Sequence, residues 1–143
     1  VRADFYVLAQ PAPEARLRLA CRVTEKAYLA GQSVLVWHDD RAELERFDVL
    51  LWTFADTSFV PHEWLGEAGE APVRLSAGEA PAGAVGVLIN LETAPAPPPW
   101  AGHAERVAEI IDGEPVRRDA GRARFRAYRE LGYELQTHSL GAP

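Results

Sequence analysis

Six arginines crowd the thirteen residues from Arg117 to Arg129, in a chain that otherwise runs acidic, with 15 Lys+Arg against 21 Asp+Glu. The planar guanidinium fork matches carboxylates and phosphates, so this stretch is the first place to look for anion chemistry. Written on a helix, Arg118, Arg122, Phe125, Arg126 and Arg129 share one face, a basic stripe with one ring set into it. Ala120, Ala123, Ala127, Tyr128 and Leu131 are left for the packed side. A solvated helix face would carry the same charges. A second candidate is Trp37-His38-Asp39-Asp40. His38 with Asp39 or Asp40 could move a proton, or the acids could simply cap the next helix and leave His38 a polar loop residue. The third is the run from Leu50 to Leu65, where Trp52, Phe54, Phe59, His62 and Trp64 surround Pro61. Exposed together, such rings mark a protein interface; folded back, they are core.

The elements that must carry these residues follow from periodicity. Phe5–Ala9 is a short aromatic and β-branched strand, broken by Gln10-Pro11-Ala12-Pro13. Glu14–Ala30 has the apolar spacing of a helix, ended by Gly31. Ser33–Trp37 is a continuous apolar run, as in a strand buried on both faces of a parallel sheet. A helix capped by Asp39 or Asp40 then runs to about Phe54. Glu67–Pro72 is a loop, Val73–Ser76 a short candidate edge strand, and Ala77–Gly83 a turn-rich link. Val85–Leu91 is the clearest buried strand. Thr93–Pro99, with four prolines, is a stiff loop. His103–Ile111 reads as a helix, Asp112-Gly113 as a turn, Glu114–Val116 as a brief strand, and the arginine helix ends at Gly132. Tyr133–Thr137 alternates as a last strand, and Leu140–Pro143 is expected to fray. The alternation of strand and helix predicts one three-layer α/β domain over 1–143, Rossmann-like, with a mostly parallel central sheet.

A sheet of this kind often holds a nucleotide at its strand ends, but the turn after the first strand has no glycine, and neither GxGxxG nor GxxxxGK[ST] occurs. The fold is therefore expected to lack a phosphate-binding loop. No Gly-x-Ser-x-Gly elbow supplies a nucleophile, and the four histidines lack metal-ligand spacing. No cofactor or metal is expected. One cysteine, Cys21, excludes an internal disulfide and reads as a small core residue. No apolar run reaches membrane-spanning length, and Val1-Arg2-Ala3-Asp4 does not read as a signal peptide, so the expected location is cytoplasmic. A net charge of −6 argues against non-specific binding of nucleic acid by the whole surface. Fourteen of the fifteen bases are arginine, Lys26 being the lysine.

Ala3-Asp4-Phe5-Tyr6, Leu50-Leu51-Trp52 with Ser58-Phe59-Val60-Pro61-His62, and Arg124-Phe125-Arg126-Ala127-Tyr128-Arg129 with Gly132-Tyr133 resemble, in order and spacing, the chi subunit of bacterial DNA polymerase III. The resemblance implies a nucleotide-binding-like α/β fold without its phosphate loop, and an adaptor rather than a catalyst. Members of that family pair with the psi subunit, which ties them to the clamp loader. They also grip the acidic C-terminal tail of single-stranded DNA-binding protein, which ends in aspartates and a Pro-Phe pair, so DNA is engaged only indirectly. Carried over by position, the tail site would be Ile111, Arg118, Arg122, Phe125 and Arg126, with Arg118, Arg126 and Phe125 standing where lysines and a tyrosine are common. The psi-facing site would be Trp52, Phe59, Val60, Pro61 and His62, a patch also implicated in contacting a repair helicase. Two other readings of the residues stay open. One is a direct binder of single-stranded nucleic acid through the Arg117–Arg129 helix. The other is a small α/β enzyme using His38 and Asp39.

Overall fold

The computed structural model describes residues 1–67 and 69–140. Seven strands, β1 (Arg2–Leu8), β2 (Val34–Trp37), β3 (His62–Trp64), β4 (Val73–Ser76), β5 (Val85–Asn90), β6 (Ala104–Ile111) and β7 (Glu134–Leu140), form a single sheet in the order β3-β4-β2-β5-β6-β1-β7. Every pairing is parallel. The helices are α1 (Pro13–Leu29), α2 (Arg41–Thr53) and α3 (Pro115–Glu130).

Burial on both faces explains why β2 and β5 read as unbroken apolar runs. Successive side chains point to opposite faces, so Val34 and Val36 join the core under α1 and α2, while Leu35 and Trp37 join the core on the α3 side. The same split sends Ile110 to one core and Ile111 to the other. The three-layer α/β architecture is the expected one, with Cys21 buried in the α1–α2 core. Asp40 caps α2, its carboxylate accepting the Ala42 amide at 3.0 Å. Leu140 closes β7; Gly141–Pro143, where fraying was expected, lie outside the described residues.

Three elements differ from the sequence reading. The stretch expected to be a helix, His103–Ile111, is a single 3-10 turn (Ala101–His103) followed by strand β6. Its alanines, acids and arginine suit a helix by propensity, but β6 lies between β5 and β1 in the sheet, and Glu109 is fully buried rather than solvated. Tertiary packing overrides local preference there. Glu114–Val116, expected as a strand, starts α3. Glu114 accepts the Val116 and Arg117 amides at 3.1 and 2.8 Å, and Pro115 takes the first turn, where no amide partner is needed. β3, in the aromatic run where no strand was expected, is the edge strand that places β4, the expected edge, one position in.

The inward face of α3 also differs. Leu131 is 67% exposed, and the helix turns Arg124 inward, 2% exposed. Arg124 meets Glu109 of β6 at 3.0 Å, and its NH1 donates to the Ala94 carbonyl at 2.6 Å. Glu109 also accepts from Asn90 Nδ2 and from the Tyr128 hydroxyl, each at 2.8 Å. Burial and the adjacent Glu109 carboxylate push the Tyr128 phenol far above its usual range, so it stays a hydroxyl donor. An ion pair this buried is costly to break from one side, because the surviving charge has no water. Arg124→Ala is expected to lose about 3–5 kcal/mol of stability in urea melts. Arg126→Ala, two residues along the same helix but exposed, should change it by less than about 0.5 kcal/mol.

Candidate functional site

The arginine helix is aimed by a turn just before it. Asp112, fully buried at the end of β6, accepts both Nε and NH2 of Arg117 at 2.7 Å and the Ala12 amide at 2.9 Å. Burial alone would raise its carboxyl, but the Arg117 fork and the Ala12 amide outweigh that and hold it below the usual aspartate range. One carboxylate thus fastens α3 to the start of α1. It also takes an amide at the N-terminus of α1, where a bound phosphate would sit in a nucleotide-binding relative of this architecture. Beside it, the buried Arg16 donates to the carbonyls of Ile110 and Leu91 at 2.8 and 2.7 Å. Desolvation lowers this guanidinium to about 10. The strand ends are therefore occupied by the chain's own side chains.

Held this way, α3 forms one wall of a groove of about 420 Å³ against the ends of β1 and β6. Its apolar floor is Phe5, Val7, Ile111 and Phe125, and Arg118 and Arg122 stand along it. Phe5 and Phe125 pack edge to face with centroids 5.2 Å apart, and the Arg129 guanidinium lies 5.9 Å from the Phe125 ring. Among the described residues both groove arginines pair only with Asp119, Arg118 at 3.4 Å and Arg122 at 3.9 Å, in largely exposed pairs of little worth. Their forks stay available to an incoming carboxylate.

Four residues expected to act together, Ile111, Arg118, Arg122 and Phe125, line this one groove. Arg126 is exposed one turn beyond Arg122 and outside the lining. Gly121 is the residue the sequence reading missed. A Cβ there would come within 2.3 Å of Ile111 Cδ1, so the glycine lets Ile111 lie flat beneath the helix. A glycine in the middle of a helix was the available signal.

The aromatic patch lies elsewhere. Trp52 and Phe59 are 47% and 69% exposed with centroids 5.7 Å apart. The His62 ring packs 4.0 Å from Trp52 and is wedged between the Asp48 carboxylate and the Val60 carbonyl, 2.7 Å from each. Val60 is fully buried and Pro61 half-buried. A partner could touch Trp52, Phe59 and Pro61, whereas Val60 and the His62 ring support the patch from below. This patch sits by edge strand β3, and the groove by β1. Five strand spacings separate those two strands, roughly 24 Å.

A family model described as "DNA polymerase III chi subunit, HolC" matches residues 1–136. The chain belongs to the DNA polymerase III chi subunit family. It is 45% identical over 139 residues to DNA polymerase III subunit chi of Pseudomonas aeruginosa, covering 97% of this chain and 96% of that one. The Escherichia coli chi subunit is 30% identical over 126 residues, covering 84% and 82% of the two chains. The Haemophilus influenzae chi subunit is 24% identical over 142 residues, with 97% of each covered. Among the described residues no helix is long and apolar enough to cross a membrane.

The chi-family frame leaves the His38 region to be judged on geometry. His38 Nδ1 accepts the Asp40 amide at 2.9 Å. That nitrogen also lies 2.9 Å from Asp39 Oδ1, but it cannot give that carboxylate a proton while it accepts from the amide. Burial lowers the His38 pKa further, favouring the neutral ring. The cavity beside it is small, about 210 Å³, and the Thr93 hydroxyl facing it is spent on Asp39 at 3.2 Å. A His–Asp proton relay is not assembled here.

Nearby, burial pushes the Glu92 carboxyl up to about 7, although the Trp37 indole N–H donates to it at 3.0 Å. Its second oxygen is buried with no partner among the described residues. A carboxyl raised on folding binds its proton more tightly in the native state, so its contribution is full below its ordinary value of 4.5 and is lost as pH rises through about 7. Glu92→Gln is expected to flatten that decline in urea-midpoint measurements across this window, making the variant relatively more stable at pH 8 than at pH 4.

Proposed function

We propose that the chain is a non-catalytic accessory subunit of the replicative polymerase holoenzyme. It links the clamp loader, through psi, to the acidic C-terminal tail of single-stranded DNA-binding protein, and it acts in the cytoplasm. The observation that carries this reading is the groove beside α3. A tail ending in aspartates and a Phe carboxylate needs cations, a fork for the terminal carboxylate and an apolar hole for the ring. Arg118 and Arg122 supply the forks beside an apolar floor of Ile111, Phe5 and Phe125, while Arg126, exposed one turn on, is placed to meet the tail's upstream acids. A short peptide buries little area, so the expected affinity is micromolar, about −8 kcal/mol. Trp52 and Phe59 are the anchors for psi, and the repair helicase would compete for the same rings. The two sites lie by strands about 24 Å apart in the sheet, which leaves room for both partners at once.

Calorimetry with a peptide of the tail's last ten or so residues tests the groove. Arg122→Glu should cost more than the roughly 1.5–3 kcal/mol of one charged hydrogen bond, removal of the terminal Phe should be as damaging, and added salt should weaken binding. A folded Arg122→Glu protein that binds the peptide as tightly as the parent would sink the assignment. At the other site, Trp52→Ala or Phe59→Ala should weaken psi by about 2 kcal/mol or more without affecting the tail peptide. Unchanged psi affinity in both variants would remove the patch from consideration.

A further inference from the structure

The opposite face of the β1–β7 edge carries a second cationic cleft, larger than the groove and distinct from it. α1 packs over β2, β5 and β6, and leaves the far side of β1 and β7 open. Into this gap of about 620 Å³ face Arg2 and Tyr6 of β1, Arg106 of β6, His138 of β7, and Arg22 and Lys26 of α1. An uncovered sheet face waiting for a helix would be apolar. This one presents four cations against one lining carboxylate, Glu105, in a protein of net charge −6. The buried Asp4 holds Arg2 and Arg106, each at 3.0 Å, and Arg106 also donates to the Tyr6 hydroxyl at 3.2 Å. The strand-borne arginines are therefore fixed in place at the cost of one charge. Arg22 and Lys26, one helical turn apart, have no carboxylate partner among the ion pairs of the described residues. Beside them the Tyr6 and His138 rings are stacked, centroids 4.9 Å apart and 19° from parallel. Tyr6 is half-buried and His138 exposed, so the pile ends in an imidazole face open to solvent.

We infer that this cleft binds single-stranded nucleic acid, with Arg22, Lys26 and the Arg2–Arg106 pair along the phosphodiesters and one base stacked on His138. Cations tracking a backbone and a ring platform for bases are the two parts such a surface needs. An acidic peptide would use the charges and leave the stacked pair idle, so the nucleic acid is the occupant the cleft fits. The site is separate from the groove beside α3: Phe5 and Val7 point into that groove, and Tyr6 between them points into this cleft. The inference does not rest on the tail-binding reading.

The test is fluorescence anisotropy of a labelled oligo-dT of about twenty nucleotides against the full chain at low salt. Binding in the tens of micromolar is expected, with a slope of log K on log salt between about −1.4 and −2.8 for two to four phosphate contacts. Arg22→Glu with Lys26→Glu, both on an exposed helix face, should weaken it at least tenfold. His138→Ala should weaken it severalfold and His138→Phe restore it, which loss of charge alone would not do. Arg122→Glu should leave it unchanged. No binding at millimolar protein overturns the inference. So does loss of binding on Arg122→Glu instead of the α1 double variant. Equal capture of poly-glutamate, with His138→Ala silent, likewise overturns it and marks the cleft as a surface for acidic protein.

Discussion

A buried charge pair between Glu109 and Arg124 organises the α3 side of the molecule. It joins a central strand to the helix, recruits the Asn90 amide and the Tyr128 hydroxyl, and reaches the loop after β5 through the Ala94 carbonyl. Each charge would be costly to bury alone, and the two are tolerable because the surrounding donors and acceptors are satisfied. The network sets the rotation of α3 about its own axis. Once Arg124 and Tyr128 face inward, Arg118, Arg122 and Phe125 must face the end of β6, and Arg126 must face water. The groove's composition is thus a by-product of which arginine is buried.

The Asp112 turn fixes the other degree of freedom, the position of the helix start. A bidentate ion pair and an amide of α1 meet on one carboxylate, so α3 cannot slide without breaking both. In a nucleotide-binding sheet the same corner is left open for phosphate. Here a side chain of the fold fills it, and the basic groove and the aromatic patch lie out at the sheet's flanks instead. That placement is consistent with a family of accessory subunits whose members are named for the polymerase they belong to.

Much of this was legible in the sequence where a residue's type and its burial agree. Val34–Trp37 and Val85–Asn90 read as strands because burial on both faces of a parallel sheet gives such short apolar runs, and the arginine stripe follows from helical spacing. Legibility failed where a charged residue is buried. Glu109 made β6 look like a solvated helix, and Arg124 was one arginine among six, with nothing local to say that it is the one buried against the sheet. The same blindness hid Gly121, whose role exists only because Ile111 crosses beneath it. It also hid the cleft behind Tyr6, whose lining comes from four elements far apart in the chain. Long-range pairing of polar groups leaves no period to read.

The position of β1 has a consequence for how the protein comes into being. Ala3 pairs with Val107 on one side and with Leu135 on the other, so the first strand has no neighbours until the last two have been made. A ribosome-bound nascent chain can assemble β2, β4 and β5 with α1 and α2 while β1 waits unpaired. Phe5 and Ile111, the floor of the groove, then meet only after β6 has been made. Such non-local closure slows folding. A chain cut short before β6 would therefore present the aromatic patch of Trp52 and Phe59 without the groove or the cleft.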